Sequence, residues 1–149
     1  MAIEARLGQC RNQQHLALRI RRGLRVLVVA HDATIRNTCR HLLQKLGADV
    51  DAATNGLDAL KAAGESRYDV IIMDVNMPGM DGVTAAKRMR DAGNDTPIIG
   101  VTTAPRALCL AAGMNDHLGK PFRLEEMVRA INGVCAEPHG APSDVSVAR

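Results

Sequence analysis

Three short apolar runs, RVLVVA at 25–30, VIIM at 70–73 and IIGV at 98–101, confine this chain to a narrow set of folds. After Arg25, each is unbroken by polar side chains and rich in β-branched residues, the pattern of a strand buried on both faces, as in a parallel sheet. Weaker strand candidates lie at 49–53 (DVDAA) and 116–119 (DHLG). Helical spacing fills the intervals: Ile35, Cys39, Leu42, Leu43 and Leu46 share one helix face, and Gly47 follows where a left-handed C-cap belongs. Leu124, Met127, Val128, Ile131 and Val134 repeat that spacing, and 56–64, 82–91 and 105–112 are shorter helix candidates. Five strand-then-helix units with short connections imply right-handed crossovers, hence an α/β fold with helices on both faces of a parallel sheet.

The length of 149 residues suits one domain. Apolar residues make up 46% of the chain and aromatics 1%, so Val, Ile, Leu, Met and Ala must fill the core. No apolar run approaches the roughly 20 residues that span a bilayer, and no secretory signal opens the sequence, so a cytoplasmic setting without membrane association is expected. Cys10, Cys39, Cys109 and Cys135 are scattered, without the spacing of a zinc site or a disulfide framework, and are expected to be buried thiols. The net charge of +3 is uneven: residues 1–25 hold six arginines against Glu4, and the remainder is slightly acidic. The leader has no aromatic interleaving and no recognition-helix pattern, so no nucleic-acid partner is expected. The expected organisation is a basic extension at 1–23, one domain at 24–135 and a flexible tail at 136–149 whose sequence is small, polar and Pro-containing.

In an open α/β sheet, ligands bind beyond the carboxyl ends of the strands. There this sequence places His31 and Asp32, then Asp74, then Thr102, then Lys120. A carboxylate can attack phosphorus to give an acyl phosphate, while a hydroxyl and a cation hold the oxygens of the transferred group.

The stretches LRVLVVAHDATIR, NGLDAL, YDVIIMDVNMPGMDGVTAAKRMR, TPIIGVTT and LAAGMNDHLGKPF resemble the receiver domains of bacterial response regulators, most of all those fused to hybrid histidine kinases. The resemblance covers roughly 24–135. It implies a flavodoxin-like, doubly wound five-stranded sheet in the order 2-1-3-4-5 with five helices. It implies that Asp74 is the phosphoacceptor, Thr102 the switch hydroxyl and Lys120 its partner lysine. Asp74 and the backbone carbonyl of Asn76 would contact Mg²⁺, Pro78 and Gly82 would shape the loop into the third helix, and the bond before Pro121 would be cis. The implied role is signalling rather than enzymatic, in a two-component phosphorelay whose partner is a histidine kinase or histidine phosphotransfer protein.

The sequence departs from that pattern at the end of the first strand, where the family's adjacent acidic pair is replaced by Ala30 and His31. Magnesium prefers oxygen ligands, so the ion is expected to be held weakly or not at all. Three readings stay open: Asp32 supplies one metal carboxylate and a weakened site works; the domain is a phosphorylation-independent pseudo-receiver that docks partners; or His31 and Asp74 hold a softer metal such as Zn²⁺ or Mn²⁺. Without the acidic pair, Asp74 and Lys120 are free to form a simple ion pair. Thr103 stands where a smaller residue is usual, and the connection TAPRALC is short and stiffened by Pro105. His117 replaces a switching aromatic, with a solvent-exposed imidazole as the simpler expectation. A flavin-binding reading is weak, because the loop after the first strand lacks a Ser/Thr/Gly cluster to cradle phosphate.

Overall fold

A computed structural model describes residues 19–135. The expected tail at 136–149 and residues 1–18 of the leader lie outside the described residues. The elements run β1 (Arg25–Val29), α1 (Ala33–Lys45), β2 (Asp49–Ala53), α2 (Gly56–Glu65), β3 (Val70–Asp74), α3 (Gly82–Asp91), β4 (Ile98–Thr102), α4 (Arg106–Ala111), β5 (Asp116–Gly119) and α5 (Leu124–Cys135). The five strands form one sheet in the order β2-β1-β3-β4-β5, every neighbouring pair parallel.

Strand alternation divides the core in two. On one face Val26, Val28, Val70, Ile72, Ile99 and Val101 pack against Cys39 and Leu43 of α1 and Met127, Val128 and Ile131 of α5. On the other, Leu27, Val29, Ile71, Met73 and Ile98 meet Ala59 and Ala63 of α2, Ala85, Ala86 and Met89 of α3, and Cys109 of α4. β3 and β4 are buried along their whole length, which is why they read as unbroken apolar runs, whereas the edge strands β2 and β5 carry exposed or half-buried positions and read weakly. Each fully buried Val, Leu or Ile contributes about 1.5–3 kcal/mol.

Local signals end the helices as their chemistry demands. Gly47 has φ +100°, closing α1 in the left-handed region that favours glycine. In the last part of the basic segment Ile20 is buried in the α1/α5 core, Arg21 pairs with Asp69 at 3.0 Å, and Asn132 of α5 donates to the Arg19 carbonyl at 2.9 Å. Residues 19–23 therefore pack on the domain. No helix among the described residues is long and apolar enough to cross a membrane.

Candidate functional site

The strand order sets β1, β3, β4 and β5 side by side, so the residues that end them share one rim. Asp74 is the last residue of β3 and pairs in register with Val101, and Thr102 is the last of β4 and pairs with Gly119, the residue before Lys120. Thr102 and Lys120 are tied through the backbone, the Lys120 amide donating to the Thr102 carbonyl at 3.2 Å. The Lys120–Pro121 bond is cis, as the resemblance implies.

Asp74 and Lys120 meet as an ion pair, Nζ lying 3.0 Å from Oδ1. The Asp74 side chain is 9% exposed and that of Lys120 27%, so the pair is largely withdrawn from water. The Asn76 amide also donates to Oδ1, at 3.1 Å. Both contacts fall on one oxygen and leave Oδ2 without a hydrogen-bond partner among the described residues. Thr102 is fully buried, and its Oγ1 accepts from the Ala104 amide at 3.0 Å rather than bonding Asp74. Glycine is required at 82, where a Cβ would stand 2.5 Å from the Asp74 carbonyl oxygen and 2.8 Å from the Val75 Cα. Asp81 caps α3 by accepting from the Thr84 amide at 2.8 Å.

At the end of β1 the geometry differs from that of a metal site. Ala30 is buried and offers no ligand; His31 is exposed. Asp32 is exposed and serves as the N-cap of α1, its Oδ1 accepting from the amides of Thr34 at 2.8 Å and Ile35 at 3.2 Å. Its place before a helix carries that signal in the sequence. Unanticipated is Arg36, whose Nη1 donates to the carbonyls of Ala30 at 2.9 Å and His31 at 3.2 Å. Among the described residues no three His, Cys, Asp or Glu side chains lie close enough to hold a metal ion. Magnesium demands several well-placed oxygens. With Ala30 and His31 in the acidic positions, Asp32 engaged in a cap and Asp74 engaged by Lys120, the residues present do not fit that ion.

His117 corrects the expectation of an exposed imidazole. It is half-buried, and its Nε2 lies 3.1 Å from the Ala104 carbonyl. Nearby, Arg106 of the six-residue α4 pairs with Asp116 at 3.0 Å. A groove of about 660 Å³ opens beside the rim between His31, Arg36, Leu57 and Met80. The larger cavity, about 900 Å³, lies at the opposite end of the sheet around Tyr68, Asp69, Thr96 and Asn115, away from Asp74.

Fold and rim together define a signalling module with an acidic residue poised at a topological edge. The chain belongs to the response regulator receiver domains, whose family description it matches over residues 26–132. It is 37% identical over 120 residues to the transcription factor SKN7 of Saccharomyces cerevisiae, an alignment covering 78% of this chain and 19% of that protein. With the response regulator MprA of Mycobacterium leprae it shares 33% identity over 130 residues, 83% of this chain and 57% of that one. The chain thus spans less than two thirds of these relatives. Among solved structures, the receiver domain of the sensor histidine kinase PA1611 of Pseudomonas aeruginosa, with a magnesium ion coordinated in its active-site cleft, superposes with TM-score 0.71 at 33% identity, covering 77% of this chain and 99% of that one.

Proposed function

We propose that this domain is a phosphorelay receiver that accepts a phosphoryl group on Asp74 from a histidine kinase or histidine phosphotransfer protein in the cytoplasm, more slowly than receivers with an intact acidic pair. The observation that carries this reading is the Asp74–Lys120 pair beside the buried Thr102 at the carboxyl rim. Oδ2 attacks phosphorus, the P–N bond to the donor imidazole breaks with its electron pair returning to nitrogen, and the imidazole takes a proton from solvent. Lys120 balances the added negative charge, and the Thr102 hydroxyl exchanges the Ala104 amide for a phosphoryl oxygen. Transfer is slowed because the carboxylates that would hold magnesium are missing.

The test is intact mass after incubation with acetyl phosphate. A gain of one phosphoryl group, lost in Asp74→Asn, supports the reading; an unchanged mass in the native chain overturns it. A second reading, a phosphorylation-independent docking module, is favoured by the closure of Lys120 on Asp74 and the absence of the acidic pair. It predicts no adduct at any magnesium concentration.

A further inference from the structure

We infer that the Asp74 pocket of this receiver takes up no magnesium at millimolar concentration, because Ala30 and His31 withdraw the acidic ligands and Arg36 occupies the carbonyls beside them. The inference deepens the reading of Asp74 as the reactive carboxylate and rests on it. Three observations lead to it.

The first is register. β1 and β3 pair Val29 with Met73, and one step further along the parallel ladder Ala30 comes beside Asp74. Neighbours in register project to the same face about 4.8 Å apart. A carboxylate at 30 would crowd Asp74 with like charge and call for a cation between the two. Alanine removes that demand, and Lys120 at 3.0 Å answers the single remaining charge.

The second is space. On the α1/α5 side of Asp74, away from His31 and Asn76, the gap bounded by Ala30, Ile35, Cys39, Val101 and Phe122 has a volume of about 10 Å³, so no ion can seat behind the carboxylate. That volume is the lower limit for a single water, whereas magnesium normally keeps several. The apolar walls also offer a hydrated ion nothing to bind.

The third is the use made of the oxygens at the end of β1. The carbonyls of Ala30 and His31 already accept from the Arg36 guanidinium, and Asp32 turns Oδ1 to the amides of α1. A cation arriving at this loop would face the positive charge of the Arg36 guanidinium. Arg36 is a positioning residue here: it touches the loop rather than the reacting atoms, and it brings a positive charge to the rim.

The experiment is a titration of the full chain with Mg²⁺, and separately Mn²⁺, followed by backbone amide resonances. In the native chain the amides of residues 74–76 are expected to show no saturable shift with Mg²⁺ and no selective broadening with Mn²⁺. In Ala30→Asp/His31→Asp both should appear, with affinity raised on the order of tenfold or more by the added ligand charge. His31→Asp alone, at an exposed position, serves if the double variant does not fold. Saturable Mg²⁺ shifts at 74–76 in the native chain at about 1 mM, within the range of weak protein cation sites, would overturn the inference. Repeating the acetyl phosphate reaction with and without chelator separates the two claims. An adduct that persists with chelator supports the inference, and one that requires Mg²⁺ overturns it while sparing Asp74 as acceptor. No adduct in either condition sinks the acceptor reading, and the titration still decides this one.

Discussion

The imidazole Nε2 of His117 lies 3.1 Å from the carbonyl oxygen of Ala104, and the amide of that same residue donates to the buried hydroxyl of Thr102 at 3.0 Å. One residue thus joins the rim of the site to the α4–β5 surface. A carbonyl can only accept, so the contact is a hydrogen bond in the tautomer that carries hydrogen on Nε2. His117→Ala is expected to cost about 0.5–1.5 kcal/mol of stability. It should also shift the amide resonances of Thr103 and Ala104. Unmoved resonances would mean that Thr102 alone holds the loop.

The closure of Lys120 on Asp74 has an asymmetric energetic signature. Lys120→Met strands a nearly buried carboxylate, and because Lys120 keeps about a quarter of its side chain in water the expected loss is about 1–3 kcal/mol, below that of a fully buried pair. Asp74→Asn should cost less, since the lysine can turn outward. In Asp74→Asn/Lys120→Met the loss should fall short of the sum of the single losses. Urea denaturation of the four proteins measures this, and strict additivity would show that the pair contributes nothing to stability.

Legibility in the sequence followed the strength of each physical signal. β3 and β4 stand out because burial on both faces leaves no polar interruption, and Asp74 and Thr102 draw attention because a carboxylate and a hydroxyl ending such strands break the pattern abruptly. α1 was legible from its apolar spacing and from Gly47, whose positive φ explains the stop. Less visible were contacts that depend on three-dimensional return of the chain. Arg36 reads as one more exposed helix charge until the helix folds back over the end of β1. Arg90 reads the same way, yet its guanidinium binds the carbonyls of Gly113, Asn94 and Thr96 and the Asn115 side chain, tying the loops before β4 and β5 together. His117 reads as exposed because nothing local indicates that the short α4 connection brings the Ala104 carbonyl within reach.

Two glycines separate a packing requirement from a conformational one. Gly82 is not in the left-handed region; it is needed because a Cβ would strike the backbone of Asp74 and Val75 at 2.5 and 2.8 Å. Neither can yield like a flexible side chain, so Gly82→Ala should cost about 1–3 kcal/mol and displace the Asp74 loop. Gly64, inside α2 with nothing within 4 Å of its Cβ position, should behave oppositely, Gly64→Ala stabilising by up to about 1 kcal/mol. Thermal denaturation of both variants gives the comparison. Equal effects of the same sign would contradict the assigned cause.

The far end of β1 makes the last prediction. Tyr68 is buried, donates its hydroxyl to Asp51 Oδ2 at 2.7 Å and lies under the Arg25 guanidinium at 5.0 Å. Burial first, then the bond to the Asp51 carboxylate, push the phenol up from 10.0 to about 12. Since the folded value lies above the unfolded one, the stabilisation is complete below about pH 10 and drains away as pH rises toward 12, by about 2 kcal/mol across the window. Cys135, pushed up from 9.0 to about 11 by burial and then by Asp69, begins to lose its own contribution nearer pH 9. Tyr68→Phe keeps that thiol and removes only the phenol, so its stability at pH 8 should fall modestly while the decline between pH 10 and 12 becomes shallower than in the native chain. Urea midpoints measured at pH steps across the window settle the point: parallel declines in the two proteins would place the alkaline transition elsewhere than at the Tyr68–Asp51 bond.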